Sequence, residues 1–203
     1  MAKRLIDLSI SLDGFITGPH PTPEKGLGEQ GGEKLHDWYF NGQTPSPHND
    51  IFKPAGRSAE IVDEMFTTTG AMVVGKKWFE IVNGWDGNHP IKGVPVFLVT
   101  HHPPAALPQG STPITVVTEG VESAIRQAQA AAGDKNVTVG GASIAQQALK
   151  AGLIDEIHLH LVPILLGGGT RLFDELGPNP RELECIRIVE APGVTHLKFR
   201  VIR

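Results

Sequence analysis

Twice in this chain a short apolar run stops at glycine and a helix-patterned segment begins at once. The first run is Ala71 to Val74, followed by Gly75 and then Lys76 to Val82. The second is Val137 to Val139, followed by Gly140-Gly141 and then Ser143 to Ala151, with Lys150 and Gly152 at its close. The all-apolar run Ala71 to Val74 suits a strand covered on both faces, and Val137 to Val139, with Thr138 at its centre, also reads as a strand. Strands separated by helices imply parallel pairing, with helices packed on the sheet.

The remaining segments extend that pattern. Ile6, Leu8, Ile10 and Leu12 alternate with Asp7, Ser9 and Ser11, which predicts a strand over Leu5 to Leu12, and Asp13-Gly14 turns the chain. Ile61 and Met65 beside Val62 and Phe66 predict a helix over Arg57 to Thr69, with Ser58 as its N-cap. Val94 to Thr100 reads as a buried strand with Pro95 near its start. Val121, Ala124, Ile125 and Ala128 mark a helix stopped by Gly133, with Glu122 and Arg126 as an i,i+4 pair. Ile157, Leu159 and Leu161 alternate with His158 and His160 in a long strand. Glu184 to Glu190 and Thr195 to Ile202 follow with no helix between them, only the turn Ala191-Pro192-Gly193, so the last strands pair antiparallel. The expected fold is a single three-layer α/β/α domain over residues 1–203, its mixed, mostly parallel sheet closed by an antiparallel C-terminal edge.

Residues 18–56 interrupt this regularity. They hold six of the 16 prolines, and only Glu33 to Phe40 has the pattern of a short helix. A long irregular insert in a compact domain is often a lid or a binding loop. Trp38 lies within it and is either a cover over a site or plain core.

Charge and cysteine content exclude several classes. A formal charge of −4 gives no electrostatic reason to expect nucleic acid or an anionic membrane as a partner. The first ten residues lack the apolar core of a signal peptide, and no run approaches a membrane span, so the cytoplasm is the expected compartment. The one cysteine, Cys185, sits in a strand-like stretch and is expected to be buried and inert. His101-His102 and the pair His158 and His160 lack the further ligands a zinc site would need, so no metal is expected. No G-x-G-x-x-G, P-loop, G-x-S-x-G or H-E-x-x-H occurs.

What remains is a set of strand-end turns. Peptide N–H groups at a helix N-terminus are unpaired and carry partial positive charge. The segment Gly140, Gly141, Ala142, Ser143, Ile144, Ala145 could therefore receive a pyrophosphate, although its residues alone are equally those of an unliganded turn. Lys76 and Lys77 after Gly75 could hold an anion or simply be solvated, and Thr100 with His101 follows the next strand. In a parallel sheet these turns share the carboxyl end, where ligands bind. Asp13 is either a turn aspartate or, with a raised pKa, a proton donor. Arg171, in the loop after Gly167-Gly168-Gly169, is either a surface arginine or a phosphate partner.

In this order the segments Ser11-Leu-Asp-Gly14, Gly75-Lys-Lys-Trp-Phe-Glu80, Val139-Gly-Gly-Ala142 and Gly152-Leu-Ile-Asp-Glu156, then Pro163 and Gly167 to Gly169, resemble the dihydrofolate-reductase-like superfamily. Within it the chain is most similar to the C-terminal reductase domain of the riboflavin-biosynthesis deaminase/reductase, over everything but residues 18–56. The resemblance implies NADPH, with the 2′-phosphate at Gly75, Lys76, Lys77, Thr100 and His101, and the pyrophosphate at Gly140 to Ala145, where a cis Gly-Gly peptide is common. It places Asp13, Phe15 and Ile16 beside the nicotinamide and substrate; Arg171 is the candidate partner for a substrate phosphate, and Trp38, in the insert outside the resemblance, is the candidate cover over the substrate. Lysine stands where many relatives have arginine, which keeps the charge but loses the fork geometry. The deaminase motifs H-x-E and P-C-x-x-C do not occur, which suggests a stand-alone reductase. The reaction implied is hydride transfer to a C=N bond, as in 5-amino-6-(5-phosphoribosylamino)uracil. The alternatives are a dihydrofolate or other heterocycle or xenobiotic reductase, with Asp37 or Glu33 as its carboxylate, and a regulatory NADPH-binding module without turnover. A homodimer is implied by the habit of relatives.

Overall fold

The computed structural model describes residues 2–202. Ten strands are β1 Arg4–Ser11, β2 Phe15–Thr17, β3 Thr69–Gly75, β4 Val96–Val99, β5 Ile114–Val117, β6 Asn136–Gly140, β7 Glu156–Val162, β8 Thr170–Arg171, β9 Leu183–Ala191 and β10 Val194–Val201. Four α-helices are α1 Ser58–Thr68, α2 Lys76–Ile81, α3 Val121–Ala132 and α4 Ala142–Lys150. Eight strands form one sheet in the order β5-β4-β3-β6-β1-β7-β10-β9. Pairing is parallel from β5 through β7, while β10 runs antiparallel to both β7 and β9. The strands β2 and β8 make a separate small pair.

The two faces of the sheet bury different material. Ile6, Leu8, Val73 and Val139 pack with Ala124, Ile125, Ile144 and Ala148 of α3 and α4. Fully burying an isoleucine, leucine or valine side chain contributes about 1.5–3 kcal/mol. The opposite face is covered by α1, α2 and a 3-10 helix, Gly32–Tyr39, which supplies Leu35 and Trp38 to a second core with Ile61, Val62 and Phe66. Residues 18–56 are therefore part of the domain's packing. Trp38 is 1% exposed and its Nε1–H donates to Ser9 Oγ at 3.0 Å, so it is core and not a cover.

Both faces being covered, the polar alternates of β1 and β7 are interior. Ser9, Ser11, His158 and His160 are all buried. The β1–β7 register sets Asp7 opposite His158 and Ser9 opposite His160, and β10 adds Lys198 and His196 opposite those histidines. Three neighbouring strands thus carry two polar rows beneath α1 and Trp38, where the sequence pattern leaves the histidines free to face a partner.

Other local expectations change. Ser58 does not cap α1; its hydroxyl sits 3.0 Å from His196 Nε2, and Arg57 occupies the cap position without a side-chain bond. Arg126 donates to Ser123 Oγ at 3.2 Å instead of pairing with Glu122. Cys185 is exposed, because β9 is the last strand of the sheet and has no neighbour on its outer side.

Candidate functional site

The carboxyl ends of β4, β3 and β6 lie side by side, and the turns leaving them open one groove of about 410 Å3. Gly75, Lys76, Lys77, Thr100, His101, Gly141, Ala142, Ser143 and Ile144 line it, as does Ile16. Strand order brings these distant turns together, as the parallel reading requires. A side chain at Gly75 would bring its Cβ within 2.9 Å of Ile144 Cγ1, so glycine is what lets β3 and the start of α4 meet. Gly141 takes φ +86°, a left-handed conformation that side chains disfavour, and so reaches the first turn of α4. Among the described residues all peptide bonds are trans, so the expected cis Gly140–Gly141 bond is replaced by this glycine turn.

No side chain caps α4. The first intrahelical donor is Ala145 N–H, to Gly141 O at 3.0 Å, so the N–H groups of residues 142–144 remain for a ligand. Lys77 is exposed, and Lys76 lies 3.7 Å from Glu80 Oε1, a loose surface pair of small worth. Thr100 cannot donate freely, since its hydroxyl bonds His102 O at 3.2 Å and accepts His102 N–H at 3.0 Å. Its role is to fix the turn that exposes His101 and His102.

Six sequence candidates do not line this groove: Asp13, Phe15, Trp38, Gly140, Ala145 and Arg171. Gly140 lines a second cavity, Ala145 is wholly buried, and Phe15 lies in the second core. Asp13 is a clamp: Ser11 Oγ–H donates to it at 2.6 Å, and the N–H groups of Leu166 and Gly167 at 3.1 and 2.7 Å. Led by the Ser11 hydrogen bond, these hold its carboxyl down at about 2, so the expectation of a proton donor there is corrected. Arg171 donates to Asp13 O at 3.0 Å and stacks 4.4 Å above the Phe15 ring, joining the glycine loop to the first turn. Thr17, Ile81, Gly120, Gln147 and Thr170 also line the first groove, with no motif that would have revealed them.

A second cavity, about 280 Å3, opens on the α1 side of the sheet. Its walls include Tyr39, Phe52, Phe66 and Trp85, with Asp7, Ser9, His36, His89 and Thr138 among the polar ones. Trp78 lines both cavities. Trp78 Nε1 and Thr138 Oγ1 are buried without a hydrogen-bond partner among the described residues. Orphaned buried polar atoms are rare and call for a ligand or water.

Asp7 is the carboxylate of this cavity, and Asp37 and Glu33 are exposed instead. Burial alone would push its acidity the other way. The opposing pull of His160 and His158 outweighs that and holds the group ionised well below the usual carboxylate range. His160 Nε2 lies 2.7 Å from Asp7 Oδ1, and His158 Nδ1 lies 3.7 Å from Oδ2. Burial depresses His36 and His89 to about 4 each and raises the Tyr39 phenol. Asp7 was visible only as an aspartate in an alternating strand; its meaning needs the pairing of β1 with β7.

With this geometry in hand, relatives can be compared. The sequence signature of the RibD C-terminal domain matches residues 3–197. The chain belongs to this family. Membership supports an oxidoreductase of the riboflavin-biosynthesis kind. No curated protein sequence matches the chain. A solved protein from Shewanella sp. PV-4, ascribed to riboflavin biosynthesis, shares 24% identity over 99% of each chain with a TM-score of 0.70. Dihydrofolate reductase from Enterococcus faecalis, solved with NADP(H), shares 12% over 99% of this chain and 97% of its own, with a TM-score of 0.56. The Thermotoga maritima diaminohydroxyphosphoribosylaminopyrimidine deaminase/5-amino-6-(5-phosphoribosylamino)uracil reductase gives 12% and 0.57, this RibD C-terminal domain chain covering 57% of it. At such identities the structural likeness establishes the dihydrofolate-reductase-like fold. The first groove fits a phosphorylated dinucleotide by its donor set: an uncapped helix start and exposed lysines converging on one space.

Proposed function

We propose that this RibD C-terminal domain is an NADPH-dependent reductase acting on a C=N bond of a pyrimidine- or pteridine-type ring. The observation that carries the reading is Trp78, which lines both the phosphate-suited groove and the aromatic cavity. Two sites sharing one wall can hold a donor and an acceptor in contact, and holding reactants together supplies much of an enzyme's rate. Bound nicotinamide would supply the hydride.

The chain's own residues bind, orient and shield. The amides of Ala142 to Ile144 would take the pyrophosphate, and Lys76 and Lys77 the 2′-phosphate. Aromatic walls exclude water and hold a flat ring. The protein is proposed to act in the cytoplasm as a homodimer. The family makes 5-amino-6-(5-phosphoribosylamino)uracil the first acceptor to try and dihydrofolate the second.

A thermal-shift series tests the reading. NADPH at about 100 times its Kd should stabilise the fold by about 2.7 kcal/mol. Absence of a shift with either NADPH or NADH would sink the cofactor assignment. Loss of NADPH absorbance with one acceptor then identifies the substrate. Tight binding without turnover on any acceptor would instead favour a regulatory module.

A further inference from the structure

The turn that follows α2 is left-handed over five residues. Asn83, Gly84, Trp85, Asp86 and Gly87 all take positive φ, from +47° to +74°. Glycine, asparagine and aspartate visit this region readily, whereas a bulky residue in it is an outlier. Trp85, at φ +54°, is the one residue of the five that the turn does not suit. Such conformations persist only where their surroundings fix them, and they cluster at ligand sites.

The surroundings fix this turn without using the indole. Trp85 N–H donates to Val82 O at 2.7 Å, and Asn88 N–H donates to Trp85 O at 2.8 Å. Asn83 Nδ2–H donates to Asp86 Oδ1 at 2.5 Å, and Asn88 Nδ2–H to Asp86 O at 2.9 Å. Thr112 N–H donates to Gly87 O at 2.9 Å. A Cβ on Gly110 would lie 2.2 Å from Gly87 O, so the turn is seated flush on the loop before β5. The backbone is thus set by its neighbours, and it delivers the indole to the second cavity, which Trp85 lines and the first groove does not share.

Trp85 differs from the phenyl and phenol walls of that cavity. Tyr39 already stacks on Trp38 at 3.7 Å, Phe40 on Phe52 at 5.9 Å, and Phe66 on His48 at 5.3 Å. Trp85 has no such flat partner among the described residues, since Phe79 and His89 meet it at 82° and 74°. The remaining indole, Trp78, is shared between the two chambers. An indole without a flat partner offers its surface to an aromatic ligand.

Charge narrows the ligand further. Among the described residues, no lysine or arginine lines the cavity. Burial pushes its histidines, His36 and His89, down to about 4, so neither is positive near pH 7. Its one charged wall is a carboxylate, Asp7. Arg171 lies outside the cavity and is engaged with Asp13 O and the Phe15 ring. A phosphoryl group inside this space would meet no counter-charge.

We propose that Trp85 is the specificity-determining residue of the second cavity: the left-handed turn holds its indole out to stack on a flat ring that carries no phosphate. The stacking preference stands without the reductase reading; its consequence for turnover rests on that reading. The acceptor reduced by this chain then lacks a phosphorylated arm, so 5-amino-6-(5-phosphoribosylamino)uracil is a poor acceptor and its dephosphorylated form a better one.

Binding to the full chain without nucleotide tests this. Quinazolin-4-one, a flat and uncharged bicycle, is titrated by calorimetry. Trp85→Gly should weaken it by about tenfold, the scale of one stack between a heterocyclic base and an aromatic side chain. Trp85→Phe, which keeps a ring, should recover most of that loss. Under a merely structural role, affinity would follow stability. Here Trp85→Gly should melt above Trp85→Ala, because glycine relieves the left-handed turn, while both bind the probe equally weakly. In parallel, 5-amino-6-ribosylaminouracil should bind wild type at least about tenfold tighter than its 5′-phosphate. Unchanged affinity for quinazolin-4-one in a folded Trp85→Gly or Trp85→Ala chain, no binding of it to wild type at millimolar concentration, or equal or tighter binding of the phosphate would each overturn the proposal. Should no variant at position 85 fold, the wild-type titrations decide alone. A lost NADPH shift with these preferences intact would strike the reductase reading only.

Discussion

Trp38 Nε1–H donates to Ser9 Oγ across 3.0 Å, tying the irregular segment 18–56 to the first strand of the sheet. The indole also lies 4.6 Å from the His160 ring and 4.8 Å from the His196 ring, so one side chain roofs the row made by Ser9, His160 and His196. Trp38→Ala should cost about 3–5 kcal/mol, as expected for emptying a large buried site. Trp38→Phe should cost less, losing mainly the hydrogen bond. Urea unfolding measures both, and an unchanged stability in Trp38→Ala would contradict its place in the core.

Lys76 and Lys77 line the first groove and are the residues proposed to read the extra phosphate of NADPH. Replacing both by alanine should weaken NADPH by about tenfold or more, the scale of one charged hydrogen bond, and leave NADH nearly unchanged. Fluorescence titration with the two nucleotides gives the comparison. Equal losses would remove the lysines from that role.

Asp13 should act on stability and not as an acid. Its folded pKa of about 2 lies below the usual 3.8, so the unfolded chain binds the proton more readily. Its contribution is therefore present above the usual carboxylate range and lost as pH falls toward 2. Asp13→Asn should be less stable than wild type at pH 7, the two converging near pH 2. Denaturation across that range checks the sign.

His196 should make the fold acid-sensitive well above the carboxylates. Burial, then the charge of His160, depress it to about 3, against 6.5 for an ordinary histidine. The unfolded chain takes up that proton first, so stability falls as pH drops below 6.5, by up to about 1.4 kcal/mol per unit for one such group. His36 and His89 act in the same direction. His158 acts in the opposite direction: against the cost of burial its carboxylate neighbours raise it, so its contribution is full well below pH 6.5 and is lost as pH rises. His196→Gln should flatten the profile between pH 6.5 and 5.

Gly75→Ala should weaken nucleotide binding more than it weakens the fold. The added methyl would come within 2.9 Å of Ile144 Cγ1, a buried β-branched side chain on the lip of the groove that yields only by shifting the start of α4. Adding Ile144→Ala should restore affinity, and a double-mutant cycle without coupling would count against the contact.

The first groove was legible because each of its parts is local. A strand run, a glycine and a helix start are contiguous in sequence, and parallel topology does the assembling. The second cavity was not, because it draws on β1, the 3-10 helix, α1, α2 and β6, no two of which share a motif. The strand β5 escaped for a different reason: four residues, three of them partly or fully exposed, carry little periodic signal. Ser58 looked like a cap because its position fits one, and only the packing of β10 against α1 reveals its histidine partner. Cys185 was misplaced because a strand pattern does not say whether the strand is central or at the rim.

Trp78 is a party wall. Any molecule that tilts this indole from one chamber reshapes the other, so the two occupants are energetically linked. That linkage is reciprocal by thermodynamic necessity: whatever factor the first guest changes in the affinity of the second, the second returns to the first.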